Sequence, residues 1–296
     1  MCPLGGALFD GFSKGPLAHL CCHCLLLETD QHGLVLVDTG FGEDDVRDPS
    51  RLSRLFRVLN NIRLDPARTA VAQLRKLGFQ PADVRHILLT HLDFDHAGGL
   101  ADFPNASIHL MQDEHAAAQQ ARGFLPRRRF VPAQWRGISR WQLYREEGDE
   151  WFGFQSVRSV VDDILLIPLR GHTAGHAGIA IRGEHGWVLH AGDAYFFRNE
   201  IAQASRQCPP GLRLYQRLMD TGGCLTSGAC GPCPWSSRSW RSSAATMPGS
   251  WRVVCRQGPS GRPPPYYWVN VTQAVRHSTQ SCSSTRSSSN FTGFAR

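Results

Sequence analysis

Short apolar runs separated by turn-forming residues make up the chain as far as about Thr221. Such runs, bounded by Gly, Asp or Asn, are typical of buried strands. The first two are joined by a polar turn at residues 30–33, which predicts a β-hairpin. The predicted strands are residues 24–28, 34–37, 86–90, 107–111, 164–167, 178–181 and 187–190. Helical segments lie between them, and this mixture predicts a layered α/β fold.

One helix is indicated by an apolar stripe at helical spacing, Val71, Leu74 and Leu77. Gly78 follows where a C-terminal cap would end it. Asp65, which precedes a proline, is the expected N-cap. The pattern therefore predicts a helix from about residue 66 to Gly78.

Residues 222–296 have a different composition from the rest of the chain. They contain no Asp, Glu or Lys but 8 Arg, and they are rich in Ser, Gly and Pro. Little apolar periodicity is present, which favours disorder over packed helices or core strands. The predicted organisation is thus a folded domain over residues 1–221 and a disordered tail over residues 222–296.

The formal net charge of +7 comes from that tail. Without it the chain has 24 basic and 25 acidic side chains, since 8 of the 32 basic residues and none of the 25 acidic ones lie there. Thinly spaced arginines are a poor nucleic-acid footprint, so no nucleic-acid partner is expected. No apolar run is long enough to span a membrane, and no secretory signal is recognised at the N-terminus. A cytoplasmic protein acting on a small molecule is expected, and its oligomeric state is open.

Candidate chemistry is concentrated in three segments that each follow an apolar run. The first, residues 91–96, reads His-Leu-Asp-Phe-Asp-His and is followed by two glycines that permit a sharp turn. The others are Gly-His-Thr-Ala-Gly-His at residues 171–176 and His-Ala-Gly-Asp at residues 190–193. Imidazole and carboxylate groups at this density are ligands for zinc and similar divalent metals. The three segments together indicate a metal site at strand ends.

These segments, with Asp38-Thr39-Gly40, resemble the metallo-β-lactamase superfamily of metal-dependent hydrolases, nearer to its lactonase-like and glyoxalase II-like members. The resemblance covers about residues 20 to 200. It implies a four-layer αββα sandwich, incomplete at the C-terminus, with the metal centre at one edge between the two sheets. By position it implies two divalent metal ions, the first held by His91, Asp93 and His172 and the second by Asp95 and His96, with Asp193 bridging them.

Asp93 departs from the commonest pattern of the family, which has a histidine there. Zinc is the metal first expected, but a harder, anionic ligand shifts the preference toward iron or manganese. Asp38 and His176 would support the ligands without binding metal.

The resemblance also implies a mechanism, in which a metal-bound hydroxide attacks an ester, lactone or thioester carbonyl. Asp95 would orient the nucleophile and carry its proton to the leaving group. Tyr195 has two readings: its hydroxyl reaches a substrate carbonyl oxygen, or its ring packs against a neighbouring loop.

An aromatic and basic segment, residues 112–163, interrupts the motif-bearing part of the chain. It includes three consecutive arginines at residues 127–129 and three of the tryptophans. Two interpretations are open, a lid with apolar walls over the metals or a decoration packed on the sandwich.

The family pattern has one further histidine after Asp193, usually followed by aspartate, and none lies at the expected distance here. His277, inside the tail, is too far along the chain to be its equivalent. We hypothesise that the tail is read in an altered frame, because regrouping the codons of residues 245–248 permits His-Asp-Ala. On that hypothesis the chain is an alternative isoform with one well-held metal, low stability and weak activity.

Three functions are therefore carried forward. The first is a metal-dependent hydrolase of an ester-like bond, with activity impaired by the missing ligand. The second is a catalytically inactive isoform that binds metal or a partner. The third is a di-iron protein that handles oxygen, suggested by Asp93.

Overall fold

A computed structural model of the protein describes residues 1–29, 31–124, 126–161, 164–183, 186–197, 208–219, 252–254 and 271–277. Its helices are α1 Ala7–Asp10, α2 Glu43–Arg47, α3 Arg54–Leu59, α4 Ala70–Lys76, α5 Gln112–Gln119, α6 Pro126–Arg129, α7 Pro132–Trp135 and α8 Pro210–Met219. Its strands are β1 Cys24–Thr29, β2 Gly33–Val37, β3 Val84–Leu88, β4 Ser107–Met111, β5 Trp141–Tyr144, β6 Asp149–Trp151, β7 Phe154–Val161, β8 Ile164–Pro168, β9 Ala177–Gly183, β10 Gly186–His190, β11 Arg252–Val254 and β12 Val271–His277. None of the helices in these ranges is long and apolar enough to cross a membrane.

The strands form two sheets. In the first the order is β12-β1-β2-β3-β4-β5, and β1 and β2 form the predicted hairpin. From β2 to β5 the neighbours are parallel, so the carboxyl ends of β2 and β3 lie at the same edge. The second sheet has the order β11-β10-β9-β8-β7-β6 and is antiparallel from β6 to β10.

The sheets pack face to face through buried aliphatic side chains. Leu27, Val37 and Leu88 of the first sheet meet Leu166 and Ile179 of the second in one cluster. Burying a side chain of this size contributes about 1.5–3 kcal/mol, so this interface is a main source of stability.

The outer faces of the two sheets are covered differently. Val71 and Leu74 of α4 pack on the outer face of the first sheet. On the second sheet, Trp151, Phe154 and Trp187 belong to an outer cluster that contains no residue of α1–α8 within the described ranges. The layered arrangement agrees with the predicted sandwich, and the helix over the second sheet is not among the described elements.

The helix predicted from residue 66 begins later than expected. Asp65 accepts the N–H of Ala67 and caps only a 3₁₀ turn over Pro66–Arg68. Thr69 then caps α4, its hydroxyl accepting the N–H of Ala72 at 3.2 Å. Two capping residues in succession divide the segment, since each starts its own turn.

The aromatic and basic segment is part of both sheets. Residues 141–144 form β5, the edge strand beside β4, and residues 149–161 form β6 and β7 of the second sheet. It is therefore neither a lid alone nor a surface decoration, because it extends the sandwich itself.

Within the tail, the structure describes two strands where the sequence predicts none. β12 pairs in parallel with β1, and β11 pairs in parallel with β10. Each adds to a sheet edge, where backbone hydrogen bonds are available to any extended segment. Residues 245–248, on which the altered-frame hypothesis rests, lie outside the described residues, and the boundary at 221 stays a prediction.

Candidate metal centre

The candidate ligands lie where strands of the two sheets end. The loop of residues 89–99 follows β3, and Asp38 follows β2 at the same edge. Residues 169–176 connect β8 to β9, and Asp193 lies just after β10. Loops leaving rigid strand ends bring side chains together that are far apart in the sequence.

Two groups of side chains converge tightly enough to hold a cation each. The first is His91, Asp93 and His172, and the second is His91, His96 and Asp193, with ligand atoms within 4.8 Å of one another in each group. All five side chains are buried. The structure thus brings together five of the six ligands implied by the resemblance, with His91 common to both groups.

Within the two groups, the ligand atoms in contact are imidazole nitrogens and carboxylate oxygens. Asp93 Oδ2 lies 3.2 Å from Nε2 of His91 and 3.0 Å from Nε2 of His172. Asp193 lies between the groups, with Oδ1 3.4 Å from Nε2 of His96 and Oδ2 3.4 Å from Nε2 of His172. Asp193 therefore lies near one histidine of each group, and its bridging role stays a prediction.

Two buried histidine nitrogens without hydrogen bonds indicate that these residues fit a divalent metal ion. Nε2 of His91 and Nε2 of His96 are buried and make no hydrogen bond among the described residues. A buried polar atom without a partner is costly in a folded protein. Both atoms face carboxylates across the gap in which a cation would satisfy them, and nitrogen with oxygen is a ligand set of zinc, iron and manganese.

Asp38 holds two of the ligand-bearing loops to each other. Its Oδ1 accepts the N–H of Thr90 at 2.8 Å, and its Oδ2 lies 2.8 Å from both Oγ1 of Thr90 and Nδ1 of His96. The backbone of Asp38 is left-handed, with φ 54°, a conformation that aspartate tolerates better than most residues. Asp38 is thus placed to orient the ring of His96 through Nδ1. Nε2, on the other side of that ring, faces the second ligand group.

His176 supports the second group through the backbone. Its Nδ1 donates to the carbonyl oxygen of Leu169 at 2.9 Å, and its Nε2 accepts the N–H of Asp193 at 3.0 Å. Burial, with His91 and His172 nearby, lowers the pKa of His176 well below its usual value, so the ring is neutral and can accept at Nε2. This places His176 as a support of Asp193.

Asp95 and Tyr195 lie outside both ligand groups. Oδ2 of Asp95 is 3.9 Å from Nε2 of His96 and accepts a hydrogen bond from Sγ of Cys22 at 3.6 Å. Tyr195 is 2% exposed and belongs to the apolar cluster that includes Phe154 and Leu189. Asp95 is therefore beside the second group and Tyr195 is buried behind it, and their catalytic roles stay predictions.

The charges of the centre are strongly coupled. Burial opposes ionisation of Asp93, but Arg129 and His91 hold its pKa well below the usual range. Burial likewise disfavours a charged His96, yet the carboxylates of Asp193, Asp38 and Asp95 raise its pKa well above the usual value. Carboxylates thus surround His96, and buried negative charge of this kind attracts a cation.

Two buried charged residues of the centre were not singled out from the sequence. Arg129, 1% exposed, donates from Nε to Oδ1 of Asp93 at 2.5 Å and from Nη2 to Nε2 of His172. Glu114, fully buried, accepts the N–H groups of Leu92 and Gly175. The run of three arginines was the available signal for Arg129, but such a run usually marks a solvated surface.

The pairing of β12 with β1 gives the position of the His277 backbone. His277 lies opposite Thr29, whereas Val271 lies opposite Cys24. Cys22, which contacts Asp95, precedes β1, whereas His277 lies at the other end of β1, about 16 Å from the Cys24 end at the rise of an extended strand. This register gives no reason to assign His277 to the centre.

Comparison with known proteins adds three findings. The model of the Metallo-beta-lactamase superfamily matches residues 21–221. A probable metallo-hydrolase of Mycobacterium tuberculosis is 44% identical over 185 residues, which are 62% of this chain and 59% of that protein. The chain thus spans about three fifths of the length of this relative. An N-acyl homoserine lactonase of a Bacillus species is 31% identical over 232 residues, 74% of this chain and 85% of that protein.

Among solved structures, a mutant lactonase of B. thuringiensis with N-decanoyl-L-homoserine bound at its active site matches with a TM-score of 0.50. The identity is 25%, and the match covers 73% of this chain and 83% of that one. A probable metal-dependent hydrolase from Staphylococcus aureus gives a TM-score of 0.53 at 22% identity, covering 73% and 79%. These matches confirm the predicted sandwich fold.

Proposed function

The chain belongs to the metallo-β-lactamase superfamily, and we propose that it is a metal-dependent hydrolase of the lactonase type. The observation that carries the proposal is the buried pair of ligand groups sharing His91. Nitrogen and oxygen ligands from three loops converge there, as a hydrolytic metal centre requires. The proposed substrates are esters, thioesters and above all lactones, because the Bacillus relatives are named N-acyl homoserine lactonases.

In this proposal His91, Asp93 and His172 hold one divalent cation, and His96 and Asp193 hold a second next to it. Bound cations supply Lewis acidity and lower the pKa of a bound water, the chemistry that hydrolysis of a carbonyl ester needs. Zinc is the first metal to test, and the carboxylate of Asp93 makes iron and manganese the next.

The remaining residues of the centre act on protons and on orientation. Asp38 fixes the ring of His96 through Nδ1, and His176 fixes the backbone at Asp193. Asp95 is the proposed proton carrier, since its carboxylate lies beside His96 without belonging to either ligand group. Tyr195 is proposed to pack the loop behind Asp193, because its ring is buried in an apolar cluster.

A second candidate is a catalytically inactive protein that binds metal. It is favoured by the ligand set: among the described residues the second group has no histidine beyond His91 and His96. A cation there would be held less firmly than in the first group. We therefore propose one firmly held metal ion and reduced activity.

The test measures metal content and turnover in the same samples of the full chain. Elemental analysis is done after loading with Zn²⁺ and dialysis, and hydrolysis of N-hexanoyl homoserine lactone, a thioester and a phosphodiester is followed. At least one tightly bound Zn²⁺ and lactone hydrolysis are expected. A double variant, His91→Ala with Asp95→Ala, should lose both.

His115→Ala is the matched control, because His115 lies on α5 outside both ligand groups and should leave metal and activity unchanged. Stoichiometric metal in the double variant would contradict the assigned centre. Bound metal with no turnover of any substrate would favour the inactive protein. Bound iron with oxygen consumption would favour the di-iron function.

A further inference from the structure

The carboxylate of Asp93 has two oxygens that face different partners. Oδ2 faces the imidazoles, 3.2 Å from Nε2 of His91 and 3.0 Å from Nε2 of His172. Oδ1 faces away from them and accepts a hydrogen bond from Nε of Arg129 at 2.5 Å. Oδ2 is thereby directed at the other ligands of the first group, and Oδ1 is held by the guanidinium of Arg129.

Arg129 is held in this position by the backbone. It is the last residue of α6, and the N–H of Phe94 donates to its carbonyl oxygen at 3.1 Å. Asp93 and Phe130 form an isolated antiparallel bridge next to it. Because the chain on both sides is bonded to the ligand loop, the guanidinium has a fixed register against Asp93.

The burial of Arg129 shows that the contact is built into the fold. Its side chain is 1% exposed, and it is surrounded by the negative charges of Asp93, Glu114 and Asp193. A buried guanidinium is tolerated only where carboxylates and acceptors compensate for the lost water. Its neighbour Arg127 is exposed, so burial of Arg129 is a property of its position.

The contact between Arg129 and His172 involves the nitrogen that would bind a metal. A guanidinium has only donors, so Nη2 can bond to Nε2 of His172 only when that nitrogen carries a lone pair. An imidazole nitrogen has one lone pair, so a cation bound at Nε2 would take the place of Nη2, whereas the bond from Nε of Arg129 to Oδ1 of Asp93 would be kept.

We propose that Arg129 is the positioning residue of the centre, which makes an aspartate work as the third ligand of the first group. It orients Asp93 through Oδ1 and balances the charge that Asp93 brings. This inference rests on the proposed function, since it assigns a role within the same metal centre.

A double-mutant cycle on the full chain separates this role from simple packing. The variants are Arg129→Met, Asp93→His and the two combined, with Arg127→Met as the exposed control on the same helix. Apo protein is titrated with Co²⁺, whose visible absorption reports ligand geometry, and Zn²⁺ affinity is obtained by competition. Thermal unfolding of each apo protein is recorded alongside.

Each single change is expected to weaken the first Co²⁺ and Zn²⁺ by about 10- to 100-fold, the usual effect of removing a group that orients a ligand. Arg129→Met leaves the negative charge of Asp93 without its compensating guanidinium. Asp93→His leaves the buried guanidinium of Arg129 against three imidazoles and without its carboxylate. The combined variant removes both conflicts, and its affinity should return to within about threefold of the parent. Arg127→Met should match the parent.

Losses that multiply in the combined variant would overturn the proposal, because two merely structural defects add in free energy. Tighter metal binding in Arg129→Met would also overturn it, since the guanidinium would then compete for His172. Should the methionine variant not fold, Arg129→Lys keeps the charge but lacks the forked donors, and parental affinity in it would contradict the positioning role.

The outcome is distinguishable from failure of the proposed hydrolase. Metal binding without lactone turnover in all variants would refute the hydrolase and leave the pattern of affinities to decide the role of Arg129. No Co²⁺ binding by the parent chain would refute both.

Discussion

Replacing Glu114 tests whether one buried carboxylate holds two ligand loops together. Its oxygens accept separate N–H groups, Oε1 from Leu92 at 3.0 Å and Oε2 from Gly175 at 3.1 Å. The packing is close, because a Cβ at Gly175 would lie 2.1 Å from the backbone nitrogen of Glu114. Leu92 lies between two ligands of the first loop, and Gly175 lies three residues after His172.

The magnitude follows from the two hydrogen bonds. A bond to a charged group contributes about 1.5–3 kcal/mol, so Glu114→Ala should lower the free energy of unfolding by roughly 3–6 kcal/mol. That is a large share of the ~5–15 kcal/mol of an ordinary domain, so the alanine variant risks not folding at all. Glu114→Gln keeps one acceptor and places an NH₂ group against the other N–H, which should cost about 1–3 kcal/mol.

The assay is urea unfolding of the metal-free protein, followed by far-ultraviolet circular dichroism. Asp113→Asn is the matched control on the same helix, since the Asp113 side chain is 51% exposed and pairs with Arg170 on the surface. Its expected effect is within about 0.5 kcal/mol. Equal unfolding midpoints for Glu114→Gln and Asp113→Asn would refute the bridging role of Glu114.

Two further predictions concern the backbone and a titrating group near the centre. Gly98→Ala should lower the melting temperature by several degrees, because its Cβ would lie 2.7 Å from the carbonyl oxygen of Gly40. Gly15→Ala is the control and should change little, because its Cβ would have no atom within 4 Å. Equal melting temperatures of the two variants would contradict this prediction. Burial raises the pKa of Asp102 to about 7, so ionising this group destabilises the folded state increasingly from about pH 4 to pH 7. Asp102→Asn should therefore be more stable than the parent by roughly 1–2 kcal/mol at pH 8 and equal to it below pH 4. The measurement is urea unfolding across this pH range, with Asp149→Asn, at an exposed position, as the control. A stability difference between Asp102→Asn and the parent that does not grow with pH would refute the prediction.

The strands and the ligand loops were predictable from the sequence because their signals are local. Residues 91–96 carry four candidate ligands, two histidines and two aspartates, directly after a run of buried aliphatic residues. The hairpin of β1 and β2 is similarly specified by two apolar runs and the turn between them. Local patterns of this kind need no knowledge of distant partners.

The start of α4 shows where a local signal misleads. Asp65 and Thr69 are both good N-caps, and each in fact caps a turn. Which of them begins the longer helix depends on where the apolar stripe meets the first sheet, and Val71 and Leu74 make that contact. Tertiary packing therefore decides between two capping residues that are equivalent in the sequence.

Arg129 and Glu114 could not be predicted for a different reason. Their partners are distant: 36 residues separate Arg129 from Asp93, and 61 residues separate Glu114 from Gly175. Nothing in a run of three arginines distinguishes the one that is buried from the two beside it. Charged residues enter a core only where the fold supplies compensating groups, and that information is in the assembled structure.

These cross-loop bonds show which part of the chain supports the centre. Asp38 joins Thr90 to His96, His176 holds the backbone of Asp193, and Glu114 and Arg129 connect the remaining loops. Every one of these bonds joins residues between 38 and 193. The altered-frame hypothesis concerns only residues beyond 221, so it changes none of the residues that make these bonds. Both proposed functions therefore keep a metal ion at the first group, so turnover, measured in samples of known metal content, is the property by which they divide.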